Sequence, residues 1–155
     1  MAQGDIKWFP ATLLKVLSGT SFNLTSNTLK VGLITSSTTP ALSTTDPCWG
    51  AGGSTNMSTN QCTPGGNYAS GGAALASVTW TNVSNVPTLR ATDVTILQNA
   101  SNPTTARWGI IYNDTEANKT CLGWIDFGSV RDLTTGDFTI NFGGAGTDIL
   151  TLTQS

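Results

Sequence analysis

Few side chains in this sequence can do acid–base or nucleophilic chemistry, and histidine is absent. Without an imidazole there is no Ser-His-Asp triad, no Cys-His pair and no histidine metal site. Nine carboxylates remain: Asp5, Asp46, Asp93, Asp114, Glu116, Asp126, Asp132, Asp137 and Asp148. Two facing carboxylates suffice for glycoside hydrolysis. Most of these, however, fall at strand ends or in turns such as NDT and TGD, where Asp binds nearby backbone amides. Asp126 differs. In LGWIDFG, alternation sets it beside Leu122 and Trp124, with Ile125 and Phe127 on the other face. It is expected on the exposed face of a sheet, or as a buried acceptor for backbone amides, Arg107 or Arg131. Structural use of the carboxylates is expected, and with it no enzymatic activity.

Three cysteines, Cys48, Cys62 and Cys121, show no C-x-x-C spacing, so neither a zinc site nor any other metal or cofactor is expected. Cys48 and Cys62 form a possible disulfide, closing a loop for which chain entropy gives about 3 kcal/mol. Free thiols are the default for a chain made in a reducing cytoplasm. Cys121, inside a strand-like run, reads as a small buried hydrophobe. GAGG and GGAG lack the lysine and following helix of a phosphate loop and read as turns. The N-x-S/T triplets, such as Asn23-Leu24-Thr25, are incidental in a chain this rich in Asn and Thr.

The elements that must position these residues are mostly strands. Pro10 to Ser18 reads as a short helix, with proline in its first turn and Gly19 as a stop. Its Leu13, Leu14 and Leu17 form an apolar face that needs covering. Phe22–Leu24 reads as a strand and Thr28–Thr35 as the next, with Leu29, Val31 and Leu33 on one face and Lys30 and Gly32 on the other. Further strands are expected at 78–81, 92–97, 106–112 and 121–127. Phe138, Ile140 and Phe142 alternate, as do Leu150 and Leu152, which suggests a hairpin across Gly143–Gly146. The expected fold is all-β: an antiparallel β-sandwich or barrel-like domain over 1–155, with one short N-terminal helix (about 10–18) and a long ordered loop (about 36–72).

At 155 residues one domain is the simplest reading. Charged residues are only 10%, against roughly 25% in ordinary soluble proteins. Such a polar but uncharged surface suits extracellular and virion proteins that meet neighbouring copies over wide areas. With a net charge of −2 and no run of Lys and Arg, no nucleic-acid partner is expected. No signal peptide and no apolar run of about 20 residues is seen, so no membrane association is expected and synthesis is placed in a cytoplasm. Trp80, Trp108 and Trp124 lie in expected strands and read as core, although an aromatic strip is also how sugar-binding modules stack their ligands. Trp8 and Trp49 lie outside the expected sheet. Each is an interface candidate, since tryptophan is enriched at hot spots, or a cap on its own core.

The order TLKVGLI (28–34), TDVT (92–95), ARWGIIYND (106–114), CLGWIDFG (121–128) and GDFTINF (136–142) resembles a group of small all-β tailed-bacteriophage virion proteins of the capsid decoration, or cement, type. The resemblance covers most of the chain outside 36–67, and the Cys-bearing loop departs from the pattern. It implies a structural protein of the virion that binds the outside of a preformed capsid. There it would bridge major capsid protein subunits beside neighbouring copies of itself. The candidate interface residues are Trp8, Trp49, Met57 and Tyr68. The alternatives are a tail or head-fibre component and, from another class, a carbohydrate-binding module with a row of exposed tryptophans.

Overall fold

The computed structural model of the chain describes residues 6–18, 22–142 and 148–152. In order come β1 (Ile6–Trp8), α1 (Pro10–Ser18), β2 (Leu29–Ile34), β3 (Pro47–Cys48), β4 (Thr55–Asn56), a 3-10 turn (Met57–Asn60) and β5 (Ala73–Ala74). They are followed by β6 (Thr79–Val83), β7 (Val86–Arg90), β8 (Val94–Ile96), β9 (Ala106–Asn113), β10 (Cys121–Arg131), β11 (Phe138–Ile140) and β12 (Leu150–Thr151). The largest sheet has the order β1-β10-β9-β2-β5, with every neighbouring pair antiparallel. Beside it lie the antiparallel sheets β12-β7-β6 and β11-β8, and a parallel pair β3-β4. The described residues are thus mainly β, in open sheets with no closed barrel and one α-helix.

Alternation in β2 and β9 divides the core. Leu29, Val31 and Leu33 join Ile111, Ile125 and Phe127 on one face, where Leu89, Val94, Ile96, Ile140 and Phe142 from the smaller sheets meet them. The opposite face carries Ile34, Ile110, Tyr112, Cys121 and Trp124, covered by Phe9, Trp49 and Met57. Both faces of the large sheet are therefore buried, and the second face is closed by the segment after β1 and by the long loop.

That loop is not structureless. Pro47–Cys48 pairs with Thr55–Asn56, the side chain of Asn56 caps the 3-10 turn by accepting from Ser58 N (2.9 Å), and single bridges join Ile34 to Gln61 and Cys48 to Thr120. Gly32 makes the closure possible: a Cβ there would stand 2.3 Å from the Trp49 indole. Trp49 lies flat on Tyr112, with ring centroids 4.9 Å apart and planes 5° apart.

Several expectations are corrected. Phe22–Leu24 is not a strand, because the Asn23 side chain caps a turn by accepting from Thr25 N and Ser26 N at 3.2 and 3.1 Å. The 138–142 and 150–152 segments are not hairpin partners: Phe138–Ile140 pairs with β8, and Leu150–Thr151 with β7. The expected turn at 143–146 lies outside the described residues. Strand β7 was not expected. It folds back on β6 through a two-residue turn in which Ser84 and Asn85 both take positive φ (51° and 67°), the geometry of a type I′ hairpin. The possible Cys48–Cys62 disulfide is not formed, and the default reading of free thiols holds: both are free and buried. Cys62 belongs to the first-face core beneath Leu33, whereas Cys48 sits against Thr120, where its Sγ contacts Gly50 O at 2.7 Å.

Candidate interaction surface

Helix α1 is held at two points that fix which way it faces. Thr12 is fully buried and its hydroxyl donates to Cys121 O, pinning the helix to β10. Lys15 forms an ion pair with Asp46 of the long loop. These anchors leave Leu13, Val16 and Leu17, spaced i, i+3, i+4, above a cleft of about 300 Å³. Its floor and far wall come from Phe22, Leu24, Leu150, Leu152 and Trp80, with Asn23 and Thr25 adding polar rim. Trp80, Leu89 and Leu150 stand in register across β6, β7 and β12, so this row runs from the core at Leu89 out to the open edge at Trp80. The cleft is the uncovered margin of the core.

Its exposure is unusual for side chains of this type. Leu17 is 69% exposed, and Trp80 and Leu152 are 39% and 37% exposed. Among the described residues no ionisable side chain lines the cleft. None of these described lining side chains can move a proton or hold a metal. What the cleft offers is burial of apolar groups, at about 1.5–3 kcal/mol for each large side chain fully covered.

The carboxylates are occupied elsewhere. Asp126 pairs with Arg107 and accepts from Gly128 N at 2.6 Å; the Arg107 bond holds its carboxyl below the usual carboxylate range against opposing burial. Burial pushes the Asp114 carboxyl up, but the paired ammonium groups of Lys30 and Lys119 (2.7 and 2.9 Å) outweigh it, and the net direction is down. Asp148 pairs with Arg90, while Asp93 and Asp137 accept the backbone amides of Phe142 and Gln98, each at 2.7 Å. Asp132 closes its own turn onto Thr134, and Glu116 accepts from Thr120 N. Asp5 lies outside the described residues. Among the described residues no group of three His, Cys, Asp or Glu side chains could hold a metal ion.

The sequence-predicted site residues fall elsewhere than expected. Trp49, Met57 and Tyr68 are 6%, 0% and 3% exposed, so they are core side chains of their own chain and present no free surface. Tyr68 is held by its hydroxyl, which accepts from Leu33 N at 2.7 Å. Trp8 is half-buried in edge strand β1, with its Nε1 donating to Ile149 O. Among the expected core tryptophans, Trp124 is buried and Trp108 lies 4.0 Å beneath the Arg107 guanidinium, whereas Trp80 is exposed. The tryptophans therefore do not form an open row. The surface that sequence reasoning missed joins Leu17 to Trp80 and Leu152. Its signal was the helix's leucine face with no assigned cover. No protein-family model, curated protein or solved structure matches the chain.

Proposed function

We propose that this protein is a non-enzymatic structural component of a bacteriophage virion, a capsid decoration protein that binds the outside of the shell and bridges or stabilises major capsid subunits. The observation that carries the reading is the apolar cleft between α1 and β6, whose described lining is uncharged and includes the exposed Leu17. A surface of this kind gains from being covered, and a rigid neighbour covers it with little loss of conformational freedom. The occupation of each described carboxylate by an ion pair or a backbone amide also favours a structural role. So does the resemblance, whose segments fall on β2, β8, β9, β10 and β11. The architecture that goes with this reading is a β-sandwich, with the large sheet as one layer and β12-β7-β6 and β11-β8 as the other.

Quantitative mass spectrometry of purified particles tests the proposal. A copy number that scales with the number of shell subunits is expected. A number matching the few copies of a tail or head-fibre part would contradict decoration and favour that second structural reading.

A further inference from the structure

Strand β6 is the outer strand of β12-β7-β6, and its residues Thr79, Trp80, Thr81 and Asn82 are all exposed. The direction of its backbone groups follows from β7. The carbonyls of Pro87 and Leu89 accept from Leu152 N (3.0 Å) and Ile149 N (2.8 Å) on the β12 side. Val86, Thr88 and Arg90 therefore turn their groups toward β6, where they face Val83, Thr81 and Thr79. Trp80 and Asn82, opposite Leu89 and Pro87, turn their N–H and C=O groups outward, away from the sheet. The same arrangement explains how Pro87 is accommodated in a central strand, since its missing donor would point toward β12, where only its carbonyl is used.

Outward N–H and C=O groups in a row are a template for one kind of partner, another extended strand. Edge strands are ordinarily guarded by charge, proline, a bulge or short length. In this fold β1 carries Lys7, and β5 and β12 are two residues long. Strand β6 has no such guard: no charged residue occurs from 76 to 89.

The geometry points to a second copy of this chain as the occupant, paired β6 to β6 antiparallel about a two-fold axis at Thr81. A two-fold contact sets each strand against itself, so a charge at its centre would face a like charge; TWTNV has none. Centred on Thr81, the register places Trp80 opposite Asn82 of the partner strand, and these are the residues whose groups point outward. Two such pairs make four backbone hydrogen bonds. The two Trp80 side chains become diagonal neighbours about 7–8 Å apart, within reach of aromatic contact, and cover the indole surface that one copy leaves open. The inference stands on β6 and does not depend on the function proposed above.

Sedimentation equilibrium of the full chain from low to high micromolar concentration tests it. A species of twice the 16.1 kDa protomer mass is expected at the upper end. Thr81→Lys sets two ammonium groups face to face, and Asn82→Pro removes a donor that the protomer does not use. Each should weaken the dimer at least tenfold while leaving the circular dichroism of the protomer unchanged. A protein that stays monomeric throughout, or a dimer indifferent to both substitutions, would overturn the inference. Thr81 faces away from the cleft, so shell binding by Thr81→Lys reports on the proposed function separately.

Discussion

At the residue scale, the tightest constraints are on the large sheet beneath the loop. Gly32→Ala would drive a methyl into the Trp49 indole, a planar group already stacked on Tyr112 and unable to step aside. The expected loss is about 1–3 kcal/mol, typical of overpacking, measured by urea denaturation. Tyr68→Phe leaves Leu33 N–H buried without its hydroxyl acceptor, and should lower stability by about 1–3 kcal/mol in the same assay. The thiols give a third test. Burial raises Cys62 to about 11 and pushes Cys121 up as well, and Cys48 is 1% exposed. In the native protein none of these thiols should react with Ellman's reagent at pH 8, and all three should react after unfolding. Two missing equivalents after unfolding without reductant would mean that a disulfide forms.

Elements were legible from sequence where one pattern dominated. Helix α1 occupies the span read from Pro10 and the leucines, and β2 follows its alternation, whereas a register shift between Cys121 and Gly123 in β10 puts Leu122 with Ile125 and Phe127 and not with Trp124 as expected. Strand β7 was hidden because Pro87 argues against a central strand and Ser84-Asn85 lacks the glycine that marks a two-residue turn. That turn has a measurable consequence. Ser84 at φ 51° pays for a left-handed backbone that Asn tolerates better, so Ser84→Asn should stabilise by up to about 1 kcal/mol and raise the thermal midpoint. The long loop misled for another reason. Its Gly, Ser, Thr and Asn content reads as a polar surface, yet Trp49, Met57, Cys62 and Tyr68 recur within it as buried plugs, two on each face of the large sheet. Their destinations are set by tertiary contacts, Gly32 above all, which local pattern does not encode. The cleft was half legible: the leucine face of α1 was visible, but Trp80 was read as core, since its place on an edge depends on β7.

For the molecule as a whole, charge is scarce, and among the described residues most of it is spent on ion pairs or on backbone groups. Asp114 and Asp126 both have folded-state pKa values below their unfolded ones. Their contribution to stability is therefore complete above the ordinary carboxylate range and is lost as pH falls through the folded values. The urea midpoint should stay level from pH 7 to 5 and drop below about pH 4, with a shallower acid limb in Asp114→Asn. The exposed apolar surface has no such duty within the protomer. Leu17→Glu should change folding stability by no more than about 0.5 kcal/mol, because the side chain is 69% exposed. The same substitution puts a charge at the mouth of the cleft, so it separates folding from docking. The most direct measurement is cosedimentation of the purified protein with undecorated shells of the phage to which the proposal assigns it, in about 1 M salt, where the Debye length is about 3 Å. The account predicts that the wild-type protein stays bound and that folded Leu17→Glu does not; release of the wild type by salt, or undiminished binding by Leu17→Glu, would contradict it.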